Sequence, residues 1–315
     1  MSKSYHYKPK NWSSYNRSKV KQGNIFIWIS DDIEDWWYDQ TLHRGRGKSK
    51  RYSSQSIEYC QTLRFLLRFP LRQTQGYVEG LFRLLSLSLD VPDYTTIGRR
   101  TAGLSIDFRT SEPQEDLHVS VDSSGVQCHR GNNWHPEKHH KKKQQAWIKL
   151  HFAVNAKTGE VVANTLSSHD ESDSGQVEAL LAQCPDLLEG FYADGAYDRN
   201  RTYHAIYQHQ PDWPLQTIIP PIKTSKIPDK PWEQLNQREQ HILYIHEQGR
   251  IKWHYKNHYG RRNQSEIIFA IFKAIFGEKL LSRDRSIQKI EVDLKCRIMN
   301  KFTRFYQNGF IKVSA

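Results

Sequence analysis

The segment Tyr259-Gly-Arg-Arg262-Asn-Gln-Ser-Glu266, running on to Lys273, most restricts how this chain can fold; it reads Y-x2-R-x3-E-x6-K. At about 100° per residue of helix, Tyr259, Arg262 and Lys273 all fall within about 40° of the Glu266 direction. Ile267, Ile268, Ile271 and Ile275 are expected on the opposite side as the anchoring face, with Phe269 and Phe276 flanking the polar seam. The pattern therefore predicts a helix fixed to a core and holding a carboxylate between two cations. Two more candidate carboxylates sit on or just after short apolar runs of β character: Asp122 in Leu117-His-Val-Ser-Val-Asp122-Ser-Ser-Gly125, and Asp194 in Gly190-Phe-Tyr-Ala-Asp194-Gly-Ala-Tyr197-Asp198. Two aspartates and a glutamate offer only oxygen, the donor set of a hard divalent cation such as Mg²⁺ or Mn²⁺.

These three segments resemble the Asp-Asp-Glu (DDE) transposases of bacterial insertion sequences, in the branch with D-G-A-Y-D around the second aspartate and Y-x2-R-x3-E-x6-K around the glutamate. The resemblance runs from about Tyr15 to about Arg304. It implies an α/β, ribonuclease-H-like catalytic domain, a mixed sheet flanked by helices, over residues 115–315, with a polar insertion around 222–258. Residues 1–114 would form a mainly helical region that binds DNA ends. Asp122, Asp194 and Glu266 are then the catalytic and metal-binding residues, holding two Mg²⁺ (or Mn²⁺) ions roughly 3.5–4 Å apart for phosphodiester hydrolysis and transesterification. Arg262, Lys273, Tyr259 and Tyr197 are the residues expected to meet the DNA backbone. For Arg262 the alternative is a surface salt bridge to Glu266, which would be worth little. Asp198, the rival of Asp194, is expected to cap the following helix. The chain departs from the family at Gln144, Gln145 and Ile148, a stretch often rich in arginine, and at Ile271, where an arginine is common.

The resemblance also implies partners: duplex DNA at the terminal inverted repeats of an element, target DNA, and at least one further copy of the chain, since two ends must be cut together. Charge agrees with this in direction. The net formal charge is +12, and residues 1–110 hold 18 Lys/Arg against 10 Asp/Glu, so the excess lies toward the amino terminus. Lysine and arginine displace counterions from phosphate. Cys60, Cys128, Cys184 and Cys296 lie far apart without C-x-x-C spacing, which suggests neither a zinc ribbon nor a disulfide framework and fits a reducing cytoplasm. Residues 1–15 lack the apolar core of a signal peptide, and no apolar run approaches the ~20 residues that span a bilayer. A bacterial cytoplasmic protein that meets the nucleoid through DNA is expected.

Along the chain, Asn24–Ile29 reads as a short strand or buried segment, and Arg44–Arg51 as either a phosphate-seeking loop or a solvated linker. Helical spacing follows over Ser54–Phe69, Arg72–Leu89 and Tyr94–Ala102, the last capped by Asp93 and presenting Arg99 and Arg100. The last two segments form either a helix-turn-helix or a plain helical hairpin. Strand-like runs at Leu117–Ser123, Val126–His129, Ala146–Asn155 and Glu160–Leu166 come next, the last pair joined by a hairpin turn at Gly159. A helix over Ser174–Cys184, a strand ending at Asp194, a helix over Arg199–His209 and a strand over Leu215–Ile219 complete the expected sheet. A basic loop, not a metal site, is expected at His135–Lys143, and the final helix over Arg285–Asn308.

Overall fold

The computed structural model describes residues 5–24, 28–40, 51–109, 116–128, 146–212, 215–305 and 310–314. In chain order, strand β1 (Tyr5–Pro9) precedes helices α1 (Trp12–Gln22), α2 (Ile33–Trp36), α3 (Ser54–Leu67), α4 (Leu71–Leu84) and α5 (Tyr94–Thr101). Strands β2 (His118–Cys128), β3 (Ala146–Asn155) and β4 (Val161–Ser168) lead to helix α6 (Val177–Leu181), strand β5 (Gly190–Tyr192), helix α7 (Asn200–His209) and strand β6 (Gln216–Ile218). Helices α8 (Gln237–Gln248), α9 (Arg250–Lys256), α10 (Asn263–Phe276) and α11 (Arg285–Arg304) and strand β7 (Phe310–Ser314) finish the chain. Two compact units result: Met1–Asp107 with Asp293–Ala315, and Phe108–Val292. The basic runs at 44–50 and 135–143, and residues 25–27 of the apolar run, lie outside the described residues.

In the first unit, α2 to α5 close on a core of Trp37, Tyr59, Leu63, Val78, Phe82 and Ile97, with the Trp37 and Phe82 rings 4.8 Å apart. Caps start these helices where short polar side chains satisfy the free N–H groups. Asn11 accepts from Ser14, Ser53 from Ser56, and Asp93 from both Thr95 and Thr96. Strands β1 and β7 pair antiparallel from Tyr5↔Ser314 to Pro9↔Phe310, a pairing across almost the whole chain that local patterning does not announce.

In the second unit the five strands run in the order β4-β3-β2-β5-β6. The first three are antiparallel, and β5 and β6 lie parallel to β2 and to each other, the arrangement of a ribonuclease-H-like sheet. The two runs expected at 117–123 and 126–129 are one strand, because β2 pairs with β3 without a break through Ser124↔Leu150 and Gly125↔Lys149; the Trp147 ring packs against Gly125, where a Cβ would sit 3.2 Å from it. Gly159 takes φ +81° in the β3–β4 turn, as its position between two strands requires. The expected helix at 174–184 is only a 3₁₀ turn, Asp173–Gln176, followed by the five residues of α6.

Alternation along β2 divides the sheet's faces. Val119 and Val121 enter a core with Leu180, Leu181, Ala205 and Ile206 from α6 and α7. Ser120 and Asp122 take the other face, where Phe152, the direct partner of Asp122 on β3, stacks on Phe269 of α10 at 4.5 Å. Trp253 of α9 is buried beside Tyr192 and Ile218, which fastens the 222–258 insertion to the β5–β6 side of the sheet.

Two histidines, one fully and one partly buried, make the fold sensitive to acid. His151 on β3 is fully buried against the Ser167 hydroxyl at 2.8 Å, and burial pulls its pKa from 6.5 down to about 4. His241 accepts from the Trp253 indole N–H at 2.6 Å and is pulled down to about 4 in the same way. Between these values the unfolded chain binds protons that the folded chain refuses, so stability is full above about pH 6.5 and is lost as pH falls toward 4. For His151 alone the loss amounts to roughly 3 kcal/mol. Urea melts at pH 7 and pH 4.5 should show it as a lower midpoint, and His151→Leu should flatten the dependence; equal pH dependence in that variant would dismiss His151 as its source.

Candidate active site

Register brings the first two carboxylates together. The parallel pairing of β2 with β5 runs His118↔Gly190, Val119↔Phe191 and Ser120↔Tyr192. Continued by two residues, that offset sets Asp122, in the middle of β2, beside Asp194, just past the end of β5, on chain paths that in a sheet lie about 4.8 Å apart. Gly190 permits the register, since a Cβ there would stand 2.2 Å from the His118 ring. Asp194 then opens a 3₁₀ turn, Gly195–Tyr197, its Oδ1 accepting from the Ala196 N–H at 2.9 Å.

The glutamate arrives from α10, whose start is pinned to β2 by hydroxyls. Ser120 donates to the Arg262 carbonyl at 2.8 Å and lies 2.9 Å from the Ser265 hydroxyl, which itself donates to the same carbonyl. Tyr259–Arg262 is a 3₁₀ turn before the helix proper. The buried face of α10 is Ser265, Ile268, Phe269, Phe272 and Phe276, whereas Ile267 and Ile271 are 50% and 41% exposed. The expected isoleucine anchor opposite Glu266 is thus corrected. Glu266 must face the strand that carries Asp122, so the buried strip lies beside it rather than across the helix. Its carboxylate is half exposed at the strip's edge.

Arg262 joins the three acids. Its Nη2 lies 3.5 Å from Asp122 Oδ2 and 3.9 Å from Asp194 Oδ2, while Nη1 donates to Glu266 Oε1. The arginine is no surface salt bridge: its side chain is only 16% exposed. Burial opposes its charge, but the Asp122 and Glu266 carboxylates outweigh this and raise its pKa above the ordinary arginine value. Burial also raises the Asp122 pKa, against the hydrogen bond from the Ser123 N–H and the Arg262 charge. A cation already stands among three carboxylates with oxygen-only donors, so the residues fit a hard divalent ion. They are gathered around the guanidinium rather than closed on a point. Among the described residues no three acidic, His or Cys side chains are close enough to hold a metal as they stand.

The other expected contacts divide. Tyr259 is half-buried against Trp253 and His254, its hydroxyl 3.4 Å from the Ala193 carbonyl and its pKa pushed up by burial to about 12. Lys273, two turns beyond Glu266, is 3.5 Å from Glu278 and forms no ion pair with the acidic cluster. Tyr197 is corrected: at 1% exposure it belongs to the core and cannot lie on DNA. Burial, then the charges of Asp173, Asp122 and Asp194, raises its pKa well above 10. In the first unit Arg99 is exposed on α5, and Arg100 donates to the Tyr52 carbonyl.

Asp198 does not cap α7, whose first residues follow Arg199 without a side-chain cap. Its fully buried carboxylate receives Arg238 of α8 in two hydrogen bonds of 2.6 and 2.8 Å, the Ile222 N–H at 3.0 Å and the Tyr203 hydroxyl at 3.2 Å. It thereby ties the insertion to the turn after Asp194. The pair is separated by 40 residues, and only the D-G-A-Y-D motif marked its acidic half. Ser120 and Ser265 were also missed; their one signal is that Ser120 shares its strand face with Asp122.

Among the described residues no helix is long and apolar enough to cross a membrane. A family model described as Transposase DDE domain matches residues 113–301, and a second model of the same description matches residues 20–130. The first spans more than half the chain and takes in Asp122, Asp194 and Glu266 together with the sheet and helix that carry them, so this chain belongs to the DDE transposases of insertion sequences.

Proposed function

We propose that this transposase binds the terminal inverted repeats of its element, cuts DNA there to free 3′-hydroxyls, and joins those hydroxyls to target DNA in the same site. The observation that carries this reading is the convergence of Asp122, Asp194 and Glu266 on one cationic position. Two Mg²⁺ or Mn²⁺ ions bound there would activate the attacking oxygen and stabilise the leaving oxygen. Asp122, Asp194 and Glu266 would together hold the ions. Hydrolysis adds water oxygen to the phosphorus as the P–O3′ bond breaks. Joining repeats the substitution with the freed 3′-oxygen as nucleophile and a target 3′-oxygen as leaving group.

Arg262, Lys273 and Tyr259 would hold the DNA backbone. Residues 1–114, with Arg99 and Arg100, would grip the repeat, and a second copy would bring the other end. The protein would act in the bacterial cytoplasm, on nucleoid DNA.

The test is a reaction of full-length protein with a terminal-repeat duplex carrying a preloaded 3′-hydroxyl, target plasmid and Mg²⁺. A joined product is expected, together with repeat binding that weakens steeply with salt. Release of nicked strands without joining would reduce the protein to a nuclease.

A further inference from the structure

Three carboxylates and one guanidinium make a closed local charge set with a residual negative charge. Arg262 sits where a metal would have to enter, touching all three acids, with 16% of its side chain exposed. Its Nε–H, buried, makes no hydrogen bond, so this pose leaves a donor unused. The backbone carbonyl of the same residue is fixed by Ser120 and Ser265. Only the side chain is therefore free to leave while Glu266 keeps its place.

From this geometry, and resting on the metal-site reading above, we propose that Arg262 is a resident counter-cation that occupies the carboxylate cluster until divalent metal displaces it. The cluster would otherwise gather three like charges in a partly buried site, where repulsion is little screened. With the guanidinium among them, the acids are held apart and their mutual repulsion is partly offset. On metal entry it must swing out, and its fork of N–H donors becomes available to a DNA phosphate. Metal and Arg262 exclude each other at the carboxylates, whereas metal and DNA assist each other. By linkage, whatever metal does for DNA affinity, DNA does equally for metal affinity.

Occupancy by Arg262 weakens apparent metal affinity by the fraction of time the site is open; an open fraction of about one tenth weakens it about tenfold. Mn²⁺ binding to the full-length protein without DNA, read from the free-ion electron paramagnetic resonance signal, tests this directly. Arg262→Gln and Arg262→Ala should each bind Mn²⁺ about tenfold more tightly than the parent. Mn²⁺ should also raise their melting temperatures by more. Asp122→Asn should lose the binding. Should either arginine variant melt cooperatively yet bind Mn²⁺ no more tightly, while Asp122→Asn loses it, the counter-cation role is overturned and the metal site stands. If Asp122→Asn binds Mn²⁺ as the parent does, the metal-site reading itself fails, and this inference with it. Mn²⁺ should also tighten parent binding to a terminal-repeat duplex but not that of Arg262→Gln; equal tightening in both would detach Arg262 from the phosphate.

Discussion

Asp122→Ala, Asp194→Ala and Glu266→Gln will each lower cleavage of a terminal-repeat duplex by roughly a thousandfold or more while changing its binding only a few-fold. Metal ligands at a two-ion site stabilise charge that develops in the transition state, worth several kcal/mol, and each 1.36 kcal/mol is about tenfold in rate. Binding of the duplex is expected to rest mainly on phosphates met elsewhere by lysine and arginine, so docking and chemistry should separate. The three variants are not equivalent structurally. Asp122 is the most buried of the acids and lies nearest Arg262 among the aspartates, at 3.5 Å against 3.9 Å for Asp194. Its loss leaves the guanidinium with Glu266 and Asp194 alone. Glu266→Gln is nearly isosteric and half exposed, so its fold should be undisturbed and its defect purely chemical. A gel assay in Mg²⁺ decides the matter: parental cutting by any one variant removes that residue from the catalytic set.

Local pattern carried much of the architecture. Capping of α5 by Asp93, the hairpin at Gly159 and the strands around Asp122 and Asp194 all depend on residues within a few positions of one another. Such short-range chemistry is visible in one dimension. What escaped depends on pairs far apart in the chain. Nothing local marks Tyr5 as the partner of Ser314, or Arg238 as the partner of Asp198. The buried face of α10 escaped for another reason. The helix is apolar around most of its circumference, so periodicity alone cannot choose a side; Phe152 and β2 choose it by receiving Phe269 and Phe272. Arg262 was legible as a neighbour of Glu266, but its reach to two aspartates on strands about 140 and 70 residues upstream required the sheet.

The link between that packing and the chemistry can be broken at one fully buried residue. Phe152 is fully buried, stacks on Phe269 at 4.5 Å with an 11° interplanar angle, and meets Phe272 edge-on at 5.7 Å. It pairs with Asp122 across β2 and β3, and Phe269 is one helical turn beyond Glu266. The ring thus spaces the glutamate's helix from the aspartate's strand. Phe152→Ala removes it and should cost about 3–5 kcal/mol, the usual range for emptying an aromatic site in a packed core. Urea melts should show that loss in the transition that reports the catalytic unit. Under conditions where the variant is still folded, its cleavage rate should fall further than its DNA affinity, because an error of about 1 Å in the placement of a reacting group can cost about a hundredfold. Phe152→Leu, which keeps most of the apolar volume, should lose less stability and recover part of the rate. A parental melt in Phe152→Ala would show that the stacked pair does not hold α10 to the sheet. A stability loss with an unchanged cleavage rate would show that Glu266 is placed by the Ser120–Arg262–Ser265 hydrogen bonds alone.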